Sequence, residues 1–113
     1  MTFFQDVYAL TRQIPVGYVT TYGELARALG TRDLPALSTT KSLQAGARTV
    51  GWALHANKNP QIPCHRVVAK DGRLSPSYAF GGSWQQYAKL VGEGVTFLDR
   101  EHVDLVKHFH HFS

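Results

Sequence analysis

Phe3, Val7, Leu10 and Ile14 fall three or four residues apart, the spacing that gathers side chains on one face of a helix. Thr2-Phe3-Phe4-Gln5 fits a capping box, so a first helix is predicted from Thr2, ended by Pro15 and Gly17. Tyr18-Val19-Thr20 reads as an extended link. A second capping box, Thr21-Tyr22-Gly23-Glu24, opens a helix through Ala28 that stops near Gly30. It puts Tyr22 on a first turn whose free N–H groups can hold a phosphate. Thr31 to about Thr40 is a polar, proline-containing connection. Leu43, Ala47, Val50 and Leu54 then mark one face of a third helix, from near Lys41 to His55. Arg48, Trp52 and His55 share a different face, within about 60° at 100° per residue. A solvated stripe is the ordinary account of such a face, yet an exposed Trp is costly without a use.

Beyond His55 the apolar runs shorten. Asn57 to Pro63 is a turn-rich loop, His65-Arg66-Val67-Val68 reads as a short strand, and Lys70-Asp71-Gly72-Arg73 as a hairpin or wing turn. Ser83-Trp84-Gln85-Gln86 is a third capping box, starting a helix that ends around Gly92, and Val95 to Leu98 forms a short closing strand. Two helices followed by a small wing outline a winged helix-turn-helix. The expectation is one α/β domain, mostly α, with a short β wing and a tail from about residue 99 to 113. That shape alone names no reaction.

A chain of 113 residues, 43% hydrophobic and 18% charged, is large enough to bury a core without staples. No apolar run approaches the roughly 20 residues that span a bilayer, and no signal pattern opens the chain. An intracellular protein is expected, cytoplasmic and nucleoid-associated, or nuclear in a eukaryote. The net charge is +4, unevenly placed: residues 1–92 hold ten Lys/Arg against four Asp/Glu, and residues 93–113 two against four. A basic body suits a polyanion such as nucleic acid, although many solvated surfaces carry a similar excess.

Chemistry concentrates at Pro63-Cys64-His65-Arg66-Val67, which holds the only cysteine. One cysteine rules out an internal disulfide and a cysteine-based zinc cluster. A lone Cys is commonly a small buried hydrophobe. As a nucleophile it must act as a thiolate, and the adjacent His65 is a possible base. Glu93, between Gly92 and Gly94, is one candidate to orient the imidazole; a solvated helix-end glutamate is the other reading. Among His102, His108, His110 and His111, the cluster His108-Phe109-His110-His111 has the residue type to bind a metal, but a mobile terminal segment is the favoured reading and no metal is assigned.

Pro63-Cys64-His65-Arg66-Val67-Val68 resembles the active-site motif of the O6-alkylguanine-DNA alkyltransferases, the methylated-DNA–protein-cysteine methyltransferases. The resemblance covers roughly residues 3 to 98. Ile14-Pro15-x-Gly17-x-Val19-x-Thr21-Tyr22-Gly23-Glu24-Leu25-Ala26 is similar to the family's entry into its helix-turn-helix, and Arg48-x-Val50-Gly51-x-Ala53-Leu54 to its recognition helix. The resemblance implies that Cys64 accepts the alkyl group of a flipped base, with His65 as base through a water and Glu93 holding the imidazole. Tyr22 would rotate the nucleotide and protonate the departing guanine, and Asn57 would brace the active-site turn. Arg48 would fill the gap in the duplex from the minor groove, with Ala47, Thr49 and Gly51 as further DNA contacts. Val67, Tyr78 and Phe80 would meet the substrate. The implied protein acts once, as a monomer, on double-stranded DNA bearing O6-alkylguanine, without a cofactor.

Thr31 to about Gly46 is longer than the family pattern, the Asn57–Cys64 loop about one residue shorter, and the substrate loop longer, with Ala79 and Phe80 in place of a tyrosine and a small hydroxyl residue. The alternative is an alkyltransferase-like damage sensor, which binds and flips alkylated guanine without transfer. Such proteins replace the acceptor cysteine; this chain keeps Cys64. A plain winged-helix regulator with a structural Cys64 is a third reading, and needs none of the relay.

Overall fold

The computed structural model describes residues 3–33, 40–76 and 78–112. Helix α1 (Phe3–Thr11) buries Val7 and Leu10. Thr2, the expected cap, lies outside the described residues. The helix ends earlier than the apolar spacing implies: Gln13 and Ile14 donate to Leu10 and Thr11, three residues back. Pro15 disfavours α geometry at the residue before it, so the last turn loosens while Ile14 stays buried.

Strand β1 (Thr20–Thr21) leads into helix α2 (Tyr22–Asp33). Thr21 caps it as expected, its Oγ1 accepting the Glu24 N–H at 3.1 Å. The predicted stop near Gly30 is wrong, for α2 runs on to Asp33 with Gly30 buried inside it. A helical glycine costs only about 1 kcal/mol, which the packing of Leu25 and Leu29 overrides. The expected Thr31–Thr40 connection therefore shrinks at both ends, and residues 34–39 lie outside the described residues. Helix α3 (Thr40–His55) packs on α2 and α1 through Val50, Ala53 and Leu54.

After the Asn57–Pro63 loop, Cys64–Arg66 forms a single 3₁₀ turn rather than the start of a strand. Cys64 N–H donates to Ile62 O at 2.8 Å and Arg66 N–H to Pro63 O at 2.9 Å, so this stretch is wound. Only Val67–Val68 is extended, as β2, pairing in parallel with β1 in the register Thr20↔Val67 and Thr21↔Val68. That pair ties the Cys64–Arg66 turn to the start of α2. The expected turn at Lys70–Arg73 forms, with Gly72 at φ +89°, where a Cβ would stand 2.6 Å from Val103 O.

Helix α4 (Gly82–Gly92) starts at Gly81 with no side-chain cap, so the capping box predicted at Ser83 is wrong. Gln86 is fully buried and serves the neighbouring turn instead. The closing strand is displaced to β3 (Phe97–Asp99), antiparallel to β4 (His102–Val103).

The segment expected as a tail is packed into the fold. Helix α5 (Leu105–His108) follows β4, Val19 bridges Phe109, and Phe112 is buried in the main core. The Phe112 N–H donates to Glu24 Oε2 at 2.8 Å, and Arg27 Nη2 donates to Phe112 O at 2.7 Å. The His108 ring is buried between Gly17 O and the Thr96 N–H. Among the described residues no group of three or more His, Cys, Asp and Glu is placed to hold a metal. No helix among them is long and apolar enough to cross a membrane.

Candidate active site

A cavity of about 450 Å³ opens between α3, the start of α2, the 3₁₀ turn and the loop before α4. Tyr22, Arg48, Trp52, His55, Cys64, Ser75, Tyr78 and Gln86 line it, with Gly51, Leu54 and Ala79. Arg48, Trp52 and His55 thus face one space, as their shared helical face implies; Trp52 is 73% exposed at its mouth.

Cys64 is buried, and Asn57 Nδ2 donates to its Sγ at 3.6 Å. Asn57 also accepts from the Asn59 N–H at 2.9 Å and donates to Asn59 O at 3.1 Å, so it braces the loop as well as the sulfur. Burial pushes the Cys64 thiol up, against the opposing pulls of the Asn57 bond and the Lys89 charge. The resting group is therefore a thiol, whose reactivity depends on a base.

His65 Nε2 lies 2.9 Å from Glu93 Oε2. Burial pulls the imidazole below its ordinary pKa and outweighs the raising effect of the Glu93 bond. At neutral pH the contact is thus a hydrogen bond from a neutral ring, with the Nε2 proton assigned from its partner, and Nδ1 keeps its lone pair. Burial alone would raise the Glu93 carboxyl; hydrogen bonds from Arg66 and His65 together hold it below its usual range. Its counter-ion is Arg66, whose Nε and Nη2 donate to Oε1 at 3.0 Å and Oε2 at 2.8 Å. Arg66 Nη1 also donates to Ile14 O at 2.8 Å, anchoring the fork on the chain after α1.

Asn57, His65 and Glu93 are joined to Cys64 or its turn without lining the cavity, and four further candidates fall elsewhere. Val67 does not line the cavity: its side chain is in the core, its N–H donates to Cys64 O and its carbonyl accepts from Gln86. Phe80 packs behind Tyr78, ring centroids 5.8 Å apart, and does not line it either. Ala47 and Thr49 are half-buried on α3 away from the cavity wall, whereas Gly51 is on it with open space where a Cβ would stand. Tyr22 lines the cavity and hydrogen-bonds Ser75; burial raises its phenol pKa, so it stays protonated.

Sequence reasoning missed Arg66 as the grip on Glu93, and Gln86. Gln86 accepts the Ser75 N–H at 2.7 Å and donates to His65 O at 3.1 Å and Val67 O at 3.0 Å, stapling the substrate loop to the active-site turn. The signal for Gln86 was its place one turn before Leu90 on the buried face of α4.

The family model of the 6-O-methylguanine DNA methyltransferase, DNA binding domain, matches residues 2–95. The methylated-DNA–protein-cysteine methyltransferase of Salmonella typhimurium is 38% identical over 97 residues, covering 85% of this chain and 48% of that protein. Alkyltransferase-like protein 1 of Schizosaccharomyces pombe is 34% identical over 94 residues, covering 82% of this chain and 76% of that one. The solved structure of S. pombe Atl1 in complex with damaged DNA containing O6-carboxymethylguanine is similar at TM-score 0.71 and 30% identity, over 96% of this chain and 94% of that chain. The chain spans from 25% to 76% of the length of such curated relatives. With a family match over most of its length and the Cys64 turn set in a cavity beside α3, this chain belongs to the family of DNA alkylguanine repair and recognition proteins that includes the alkyltransferases and the alkyltransferase-like proteins.

Proposed function

We propose that this chain rotates O6-alkylguanine out of duplex DNA into the cavity and takes its alkyl group irreversibly onto Cys64. The observation that carries the reading is Cys64 on the cavity wall, next to a His65 anchored on Glu93. A base in the stack hides the atom to be attacked, and extruding it costs a few kcal/mol. Arg48, exposed on α3 at the cavity mouth, offsets part of that cost by filling the gap from the minor-groove side.

In the transfer the S–C bond forms as the C–O6 bond breaks, and the electron pair stays on the base. The thiol proton passes through a water to His65, and Tyr22 supplies a proton to the departing guanine, regaining one from solvent. A thioether does not hydrolyse under these conditions, so each monomer reacts once.

A second reading is a damage sensor that flips the base without transfer. It is favoured by the likeness to S. pombe Atl1 over nearly the whole of both chains. Retention of Cys64 with His65, Glu93, Asn57 and Tyr22 favours transfer. The test is intact mass with peptide mapping after mixing with a duplex carrying one O6-methylguanine. A gain of about one methylene on the Cys64 peptide, saturating at one per molecule, establishes transfer. Tight, selective binding with no gain establishes the sensor.

A further inference from the structure

We infer that Tyr78 and Lys89 act as a pair in which Lys89 positions the Tyr78 hydroxyl to donate its proton, as a hydrogen bond, to the oxygen of the base held in the cavity. This rests on the base-flipping transfer proposed above. Tyr78 lines the cavity with Cys64 and Gln86. Lys89 Nζ donates to Tyr78 Oη at 2.7 Å. The same ammonium lies 5.2 Å from the Tyr78 ring centroid and 5.1 Å from that of Phe80, so the aromatic pair holds the lysine as well. Phe80, which does not reach the cavity, thereby has a use: it backs Tyr78 and seats the cation.

The direction of the bond decides what the hydroxyl can do next. An ammonium has three donors and no acceptor, so the Tyr78 oxygen accepts from Lys89 and its own proton is left for a third partner. No other hydrogen bond of that hydroxyl is formed among the described residues. Burial first, then the charges of Cys64 and Glu93, push the phenol far above its ordinary pKa, so it keeps its proton and donates without ionising.

As the C–O6 bond breaks and the S–C bond forms, negative charge grows on the base oxygen. A fixed donor aimed there gains strength in the transition state, which is the condition for accelerating the step. The ammonium behind the phenol polarises the O–H and adds to that gain.

The test compares wild-type protein, Tyr78→Phe, Lys89→Met and Lys89→Arg in two single-turnover reactions at Cys64. One donor is a duplex with O6-methylguanine; the other is iodomethane, whose leaving iodide needs no hydrogen-bond donor. Tyr78→Phe and Lys89→Met are expected to slow transfer from DNA by roughly 100-fold and roughly 10-fold, with Lys89→Arg near wild type. Iodomethane rates are expected to stay within about twofold in Tyr78→Phe and Lys89→Arg. Lys89→Met also removes a charge that pulls the Cys64 thiol down, so its iodomethane rate falls too, by less than its transfer from DNA. Parallel changes with both reagents in Tyr78→Phe, in either direction, overturn the inference, because the hydroxyl then acts on the thiol or the fold, and so does a Lys89→Met that slows both reagents equally. Unchanged transfer from DNA in Tyr78→Phe overturns it as well. If wild-type protein forms no adduct with DNA, the transfer reading fails separately. The pair is then read by duplex affinity: Tyr78→Phe must weaken binding to the alkylated duplex by about tenfold while leaving undamaged duplex unchanged, or the inference falls too.

Discussion

His65 Nε2 and Glu93 Oε2 stand 2.9 Å apart although 28 residues separate them in the chain. The bond leaves Nδ1 as the ring's acceptor, while burial, against the pull of Glu93, keeps the imidazole neutral. Glu93 stays ionised because Arg66 grips both its oxygens. One residue of the active-site turn is thus oriented by a carboxylate that the next residue neutralises.

The sign of the His65 shift sets the acid limb of transfer. Its folded pKa lies below the ordinary 6.5, so the base is uncharged across neutral pH. Single-turnover transfer is expected to be flat there and to fall only below pH 6.5. An acid limb centred at or above that value would remove His65 as the base. Stability follows the same direction: His65 and Glu93 both have depressed folded pKa values, so their contribution is present above their unfolded values and lost as pH falls through the folded ones.

Arg66→Ala leaves the Glu93 carboxylate half-buried without its counter-ion and frees Ile14 O. It is expected to cost about 3 kcal/mol in urea unfolding, the low end for a broken pair because both groups keep some solvent contact. Arg66→Lys recovers only part of this, since an ammonium cannot reproduce the two-point fork. A cost near zero would show that the grip on Glu93 is incidental.

Cys64→Ala is expected to abolish the mass gain yet keep selective binding to alkylated duplex, with stability changed by about 1 kcal/mol. Loss of binding together with transfer would make Cys64 a structural residue.

Arg48→Ala is expected to lower affinity for an O6-methylguanine duplex by about tenfold and for undamaged duplex much less, as titrations of the two would show. Equal losses on both would reduce Arg48 to a phosphate contact.

Phe112→Ala probes the carboxyl-terminal segment. Phe112 is 7% exposed in the main core, so its truncation is expected to cost about 3 kcal/mol, read as a lowered unfolding midpoint. A free tail would show no change.

Local information in the chain was enough for much of this architecture. The Thr21 cap, the buried face of α3 and its opposite Arg48–Trp52–His55 face depend on neighbours within one or two turns, and spacing reports such neighbours directly. The adjacency of Cys64 and His65 is likewise written in the chain, and the motif around it pointed to the family. The misplaced elements share a different cause. Gly30 carries an unfavourable local preference that buried neighbours outvote. Ser83-Trp84-Gln85-Gln86 has the pattern of a cap, but Gln86 reaches across because its amide finds two backbone partners beside Cys64 and a third at Ser75. The segment after Asp99 has no periodicity to read, for its order comes from bonds to Val19, Glu24 and Arg27, some 80 to 90 residues away. The sequence by itself determined the cores of α1 to α4, the Cys64–His65 adjacency and the shared face of Arg48, Trp52 and His55. Only the tertiary structure decided which carboxylate holds His65, what neutralises that carboxylate, and how Lys89 meets Tyr78, because those contacts join segments whose approach no local spacing encodes.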